Sequence, residues 1–253
     1  MISLESVTFS YPNGPGIFKD FSWRTQRGSA WAVLGPSGCG KTTLLYLLAG
    51  LQSPSSGKVV VDGQPVTRPR PQTGLILQEY GLLPWATVRQ NISLGLQIRA
   101  FYGPDGRHAP ARPVDPANVD AWLERLGLVD HAHKYPGQLS GGQRQRTAIA
   151  RTLILQPDLL LMDEPFSALD APTRLDLEDL TLQLRQEQGF TSVVVTHAIE
   201  EAAYLGQSVL VLGKTPNRSG KTFSNPVFGQ PGGRDSAPFR ELCIALRAEL
   251  EGK

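Results

Sequence analysis

The stretch Gly35-Pro36-Ser37-Gly38-Cys39-Gly40-Lys41-Thr42 constrains this chain more than any other, because it fits the phosphate-binding pattern G-x-x-x-x-G-K-[ST] at every fixed position. The mechanism of that pattern needs a buried strand before it and a helix after it. Both are present. Ala30-Trp31-Ala32-Val33-Leu34 is a short apolar run, and residues 41–49 carry Leu44, Leu45, Leu47 and Leu48 in helical register. The loop glycines let the backbone bend so that successive N–H groups point inward at phosphates, and the positive end of the following helix adds to the attraction. Lys41 is then expected to reach the β and γ phosphates, and Thr42 to offer its hydroxyl to Mg²⁺. In this context the stretch reads as a nucleotide site rather than as a Gly-rich turn.

Hydrolysing a terminal phosphate requires positioned phosphates, a metal, an oriented water and charge compensation, with little covalent help from protein. Residues 159–162 are apolar and are followed by Asp163 and Glu164, the form of a buried parallel strand delivering acids to its C-terminal edge. Asp163 is expected to hold Mg²⁺, directly or through water, and Glu164 to polarise the attacking water. The plain alternative is two acids capping a strand edge in solvent. His197 follows a third buried strand at 191–196 and is placed to hydrogen-bond the γ phosphate while neutral. Asp170, ahead of Ala171-Pro172, is a candidate cap for a long helix running to Gln188.

Leu139-Ser140-Gly141-Gly142-Gln143 is a second Gly-rich loop feeding a helix, and therefore a second anion site that one molecule does not need. A second copy of the chain resolves the redundancy. If two chains pack head to tail, Ser140 and the N–H groups of Gly141 and Gly142 of one close over the γ phosphate held by Lys41 of the other. Nucleotide then joins the dimer and hydrolysis loosens it. The alternative is an ordinary helix N-cap with glycines.

Around these motifs, residues 2–11, 17–25 and 58–61 read as strands of a small antiparallel layer, with turns at 12–16 and at Asp62-Gly63. Residues 73–77 suit a core strand, 87–100 a helix, and 116–126 a short helix with Ala117, Ala121, Leu123 and Leu126 on its apolar face. The Pro- and Gly-rich stretch 101–117 reads as an exposed loop. Residues 198–205 should be helical and 208–212 a final strand; 214–238 reads as polar and irregular, before a helix at 239–250.

Composition narrows the role. With 253 residues the chain is long enough for one large α/β domain and a substantial core. A net charge of +2, from 25 basic and 23 acidic residues, lacks the electrostatic footprint of dedicated nucleic-acid binding. Two cysteines, Cys39 and Cys243, offer neither a disulfide framework nor metal-ligand spacing, as suits a reducing cytosol. The start of the chain has no signal-peptide pattern, and no apolar run is long enough to cross a bilayer, so any membrane role is expected to come through a partner.

Taken in order, these motifs resemble the ATP-binding subunits of ATP-binding cassette (ABC) transporters, and the likeness covers nearly the whole chain. It implies an α/β fold: a phosphate-loop NTPase (RecA-like) core with a parallel sheet, a small antiparallel β layer and an inserted helical subdomain. The expected division is an ATP-binding domain at 1–229, with the helical subdomain inserted at about 87–152, and a C-terminal tail and helix at 230–253. The family's phosphate loop matches Gly35 to Thr42, with Thr43 beside it, and its signature loop matches Leu139 to Gln143. Its Mg²⁺ and catalytic acids match Asp163 and Glu164, its inter-subunit aspartate loop Ser167 to Asp170, and its switch histidine His197. Its glutamine that senses the γ phosphate, joins the metal site and contacts the membrane subunit matches Gln78, and its adenine-stacking aromatic matches Tyr11.

Within the family, the segments 78–85 and 162–171 look like those of importers for nitrate, sulfonate and taurine. In such importers the stretch after the glutamine docks a cytoplasmic helix of the permease, which makes Leu82, Leu83, Pro84 and Trp85 the expected contact. The start of a core helix is the alternative for these residues. Two departures stand out: the 101–117 loop is longer than the family commonly has, and 214–221 fits the subfamily loosely. Cys39 occupies a position often taken by a small residue and reads as a spacer.

The resemblance implies a cytosolic ATPase that binds ATP and Mg²⁺, lies at the cytoplasmic face of the cell membrane and works as a dimer beneath two permease subunits fed by an extracytoplasmic solute-binding protein. The rival is a soluble cassette ATPase acting on ribosomes or DNA, but this chain has neither the paired cassettes nor the long coiled-coil or basic insertions of such proteins. A phosphate-loop kinase or GTPase is disfavoured, since no Asn-Lys-x-Asp motif occurs and the Leu139 loop would have no role.

Overall fold

Period-two burial explains the centre of the molecule. In a computed structural model that describes residues 1–12, 14–102 and 116–252, β7 (Leu159–Asp163) is buried along its whole length. Leu159 and Leu161 enter one core, while Leu160 and Met162 enter another on the opposite face. A strand covered on both faces has no reason to alternate, so its sequence is a continuous apolar run. β8 (Thr191–Val195) divides likewise, with Val193 and Val195 on one side and Val194 on the other.

These strands belong to a six-stranded sheet of order β10-β9-β3-β8-β7-β6, with β3 (Ala30–Leu34), β6 (Thr73–Ile76) and β9 (Ser208–Leu212) parallel to them and β10 (Gly220–Ser224) at the edge. A second, antiparallel sheet has the order β2-β1-β4-β5, from β1 (Ile2–Ser10), β2 (Gly16–Thr25), β4 (Ser56–Val61) and the short β5 (Gln64–Pro65). Helix α1 (Lys41–Ala49) lies in the core shared by the two sheets. Leu44, Leu45, Leu47 and Leu48 are all inaccessible, so this helix is apolar all round.

The other face of the large sheet carries α2 (Val88–Tyr102), α3 (Pro116–Arg125), α4 (Gly141–Leu153) and α5 (Ala171–Gln188), packed through Ile92, Leu123, Ile149, Leu153, Leu177 and Leu184. Farther along, α6 (Ile199–Leu205) and α7 (Ala237–Glu251) cover β3 and β9 with Ala202, Phe239, Leu242 and Leu246. Among the described residues no helix is long and apolar enough to cross a membrane.

Two sequence expectations need correction. The stretch read as irregular contains β10 (Gly220–Ser224), antiparallel to β9 at the sheet edge. Only its backbone must pair and none of its side chains is fully buried, so it shows no apolar pattern. In α3, Ala121 is exposed; Val119, Leu123 and the following Leu126 are the buried positions. Most of the stretch read as an exposed loop at 101–117 lies outside the described residues.

Candidate functional site

The chain leaves β3 at Leu34, turns through 35–40 and enters α1 at Lys41, so the loop sits where a parallel strand ends and a helix begins. Gly40, the residue before α1, has φ +104°, and a Cβ there would overlap the Ile17 side chain; only glycine serves. Lys41 is 8% exposed, with Nζ donating to the carbonyls of Gly35 at 2.8 Å and Pro36 at 3.1 Å. Thr42 Oγ1 donates to Asp163 Oδ1 at 3.1 Å, joining the loop to the C-terminal edge of β7. Burial pushes the Asp163 carboxyl above the usual range, while the Thr42 hydroxyl pulls it down.

Glu164 follows at φ +45°, a left-handed conformation that a bulky residue holds only when its surroundings impose it. Here they do: its N–H donates to Val195 O at 2.8 Å, and its carbonyl accepts from Ser167 Oγ at 3.0 Å. Its Oε2 meets Gln78 Nε2 at 3.3 Å and His197 Nδ1 at 3.2 Å. The ends of β6, β7 and β8 therefore converge on one carboxylate oxygen.

A cleft of about 440 Å³ opens beside it, lined by Tyr11, Ile17, Ser37, Gly38, Gly40, Lys41, Thr42, Thr43 and Glu164. Tyr11 is 38% exposed, its hydroxyl 3.2 Å from Thr43 Oγ1 and its ring edge-on to Phe9. Cys39 is buried, and burial pushes its thiol pKa up, away from the thiolate a nucleophile needs.

Ser140, Gly141, Gly142 and Gln143 do not line this cleft. Ser140 caps α4 in a reciprocal box: Gln143 N–H donates to Ser140 Oγ at 3.3 Å, and Ser140 N–H to Gln143 Oε1 at 2.9 Å. A Cβ on Gly141 would lie 2.9 Å from Leu169 Cδ2, and one on Gly142 2.6 Å from Thr173 Cγ2. The glycines thus bring α4 close to the 167–170 loop and to the first turn of α5. Asp170 caps α5 by accepting from Thr173 N–H at 3.2 Å; the Thr173 hydroxyl and N–H hold its carboxyl below the usual range.

After Gln78 the backbone turns through Tyr80 at φ +63°, and Trp85 stands 74% exposed. Pro84 is exposed as well, whereas Leu82 and Leu83 are half-buried. This turn is braced from within by residues the sequence reading did not single out. Asn91, 0% exposed, accepts from Leu83 N–H and donates to the Leu83 and Ala86 carbonyls, and Arg151 donates to the Tyr80 and Gly81 carbonyls. Asn217 was also missed. Buried in the loosely matching 214–221 segment, it donates from Nδ2 to Cys39 O at 2.7 Å, bracing the phosphate loop from behind. No motif could have exposed these residues, because each acts on a backbone carbonyl.

A family model described as "ABC transporter" matches residues 18–167. The chain is 36% identical, over 99% of itself and 96% of the relative, to the aliphatic sulfonates import ATP-binding protein SsuB of Bacillus cereus. It is 40% identical over 87% of itself and 80% of the relative to the taurine import protein TauB of Roseobacter denitrificans, and 40% over 96% and 86% to the nitrate import protein NrtD of Synechococcus elongatus. Among solved structures, a dimeric post-hydrolysis state of the ATP-binding cassette MJ0796 bound to ADP and Pi superposes with a TM-score of 0.76 at 30% identity, over 90% of this chain and 100% of that one. A phosphate-loop core bearing this sequence of motifs, matched by that family model and by relatives along most of its length, places the chain in the ABC transporter family.

Proposed function

We propose that this chain is the ATP-hydrolysing, energy-coupling subunit of an importer for nitrate, a sulfonate, taurine or a similar small solute. The observation that carries the reading is the convergence of Gln78 and His197 on Glu164 beside the phosphate loop. In this reading the loop from Gly35 to Thr43 binds the phosphates and Tyr11 the adenine. Glu164 accepts a proton from the attacking water. His197 and Gln78 orient that carboxylate and sense the γ phosphate. Thr42 lines the cleft, Asp163 is hydrogen-bonded to it, and Gln78 reaches Glu164 of the same lining, so their oxygens are hard donors that fit Mg²⁺; Asp163 is buried beside Thr42 with its pKa raised, a carboxylate that a cation would favour in its charged form. Bound there, Mg²⁺ would neutralise charge on the phosphates.

The remaining donors are supplied by a second copy, head to tail, through Ser140, Gly141, Gly142 and Gln143, with the Asp170 loop at the junction. Leu82, Leu83, Pro84 and Trp85 form the contact with an integral-membrane permease at the cytoplasmic face, and an extracytoplasmic binding protein delivers solute to that assembly. An exposed tryptophan beside Gln78 supports this placement, since a large apolar side chain held in solvent by an internally braced turn suits a docking surface. Residues 1–229 act as the ATP-binding unit, 87–152 as its helical insertion, and 230–253 as a tail. Purification from membranes and from ribosomes tests the reading: co-purification with an integral-membrane protein supports it, and co-sedimentation with ribosomes supports the soluble alternative.

A further inference from the structure

The signature loop depends on a side chain outside it. Ser140 N–H is taken by Gln143 Oε1 at 2.9 Å, and this bond decides which way the Gln143 carboxamide faces. With Oε1 turned to Ser140, Gln143 Nε2 lies 2.8 Å from His131 Nε2. A carboxamide NH₂ only donates, so the imidazole nitrogen opposite must carry a lone pair. Flipping the amide would put its NH₂ against the Ser140 N–H, and a proton on His131 Nε2 would put two donors head to head. A single arrangement satisfies all three groups.

We propose that His131 is a positioning residue for the signature loop: a neutral imidazole, protonated at Nδ1, whose Nε2 accepts from Gln143 and thereby holds Ser140 in place for the nucleotide of a second copy. The ring is set by a one-turn 3-10 helix, Val129–His131, whose His131 N–H donates to Leu128 O at 3.0 Å while Lys134 N–H donates to His131 O at 2.9 Å. Nδ1 is buried without a hydrogen-bond partner, so the proton it carries gains nothing there. The role of the ring lies in its other nitrogen. Gly141 and Gly142 are already pressed toward Leu169 and Thr173, so Gln143 is the part of the cap with freedom to turn, and His131 removes that freedom.

This inference rests on the shared-site reading above, but its chemistry can be examined in the solitary chain. Long-range ¹⁵N NMR of the His131 ring at neutral pH should show one proton, on Nδ1; a proton on Nε2, or on both nitrogens, overturns the proposal. In a Glu164→Gln background, where ATP is held unhydrolysed, His131→Leu should weaken dimerisation driven by Mg·ATP about five- to ten-fold, the scale of one lost hydrogen bond. Nucleotide binding to the solitary chain and the melting transition should stay close to the parent's. His131→Gln, which keeps an acceptor, should recover part of the loss. Dimerisation of His131→Leu equal to the parent's also overturns the proposal. If the Glu164→Gln parent itself stays solitary with Mg·ATP, the shared-site reading falls, and the tautomer alone then decides whether His131 orients Gln143.

Discussion

The phosphate loop and the signature loop are both Gly-rich turns at the start of a helix, yet their surroundings differ. Around the first, one chain gathers a lysine, a threonine, two acids, a glutamine and a histidine from the ends of β3, β6, β7 and β8. Around the second, the hydrogen bonds close on themselves: Ser140 and Gln143 cap each other, His131 holds Gln143, and the glycines serve close packing. A loop that lines its own cleft is built to act on what it binds. One that is self-satisfied and stands apart from that cleft suits the proposed presentation to a second copy. The family's dimeric structures share this fold.

Breaking the first region alone should have the largest effect. Glu164→Gln removes the proton acceptor and should lower kcat about a thousand-fold, as expected of a general base, with ATP binding retained. Steady-state turnover together with equilibrium binding of a fluorescent nucleotide checks this, and unchanged turnover removes the assignment. Breaking the second region comes next. Ser140→Arg places a long cation where a γ phosphate would be met and should cost about a hundred-fold or more in turnover, while the solitary chain still binds nucleotide. Loss of binding in the solitary chain would mean that the two loops are not separate.

Gly142→Ala tests how the signature loop is held. Its Cβ would come 2.6 Å from Thr173 Cγ2, so the Thr173 side chain or the two helices must shift, at a cost of about 1–3 kcal/mol in chemical denaturation. An unchanged midpoint would show that the glycine is needed only for what docks on it.

Behind the first region, Glu201 of α6 is a buried acid. Burial, with the neighbouring Glu178 carboxylate adding to it, pushes its pKa up from 4.5 to about 8. Below about pH 4.5 the folded and unfolded chains both hold the proton, whereas between 4.5 and 8 only the folded chain does. Stability therefore falls as pH rises through that window, by up to about 1.4 kcal/mol per unit for one proton. Glu201→Gln should flatten that slope in urea titrations between about pH 5 and 8; a slope equal to the parent's would show that Glu201 does not carry it. The smallest effect in the isolated chain belongs to Trp85→Ala, which at 74% exposure should change stability by no more than about 0.5 kcal/mol. Pull-down with the permease is where that variant should fail.

Much of this comparison was legible in the residues. The apolar stretches before Asp163 and His197 read as strands buried on both faces, because alternation is lost when neither face meets water. Ser140 and Asp170 announced their helices by cap chemistry, which needs no more than the next turn of chain. β10 was hidden because an edge strand is recruited by the backbone of β9 rather than by its own side chains. Ala121 was misassigned because α3 turns Val119 and Leu123 inward, a choice made by the helices it packs against.

The sequence by itself determined that a Gly-rich loop joins a buried strand to a helix, which strands lie at the centre, and which acids and amides stand at their ends. These follow from contiguous pattern, since a loop between strand and helix or a run of apolar residues carries its meaning within a few positions. The tertiary structure decided which of those groups meet. It set Gln78 and His197 against Glu164, kept Ser140 out of the cleft lining, and brought Asn217 beneath Cys39 and His131 against Gln143. Hydrogen bonds between positions far apart in the chain leave no periodicity to read, because each needs one donor and one acceptor that folding alone brings within reach.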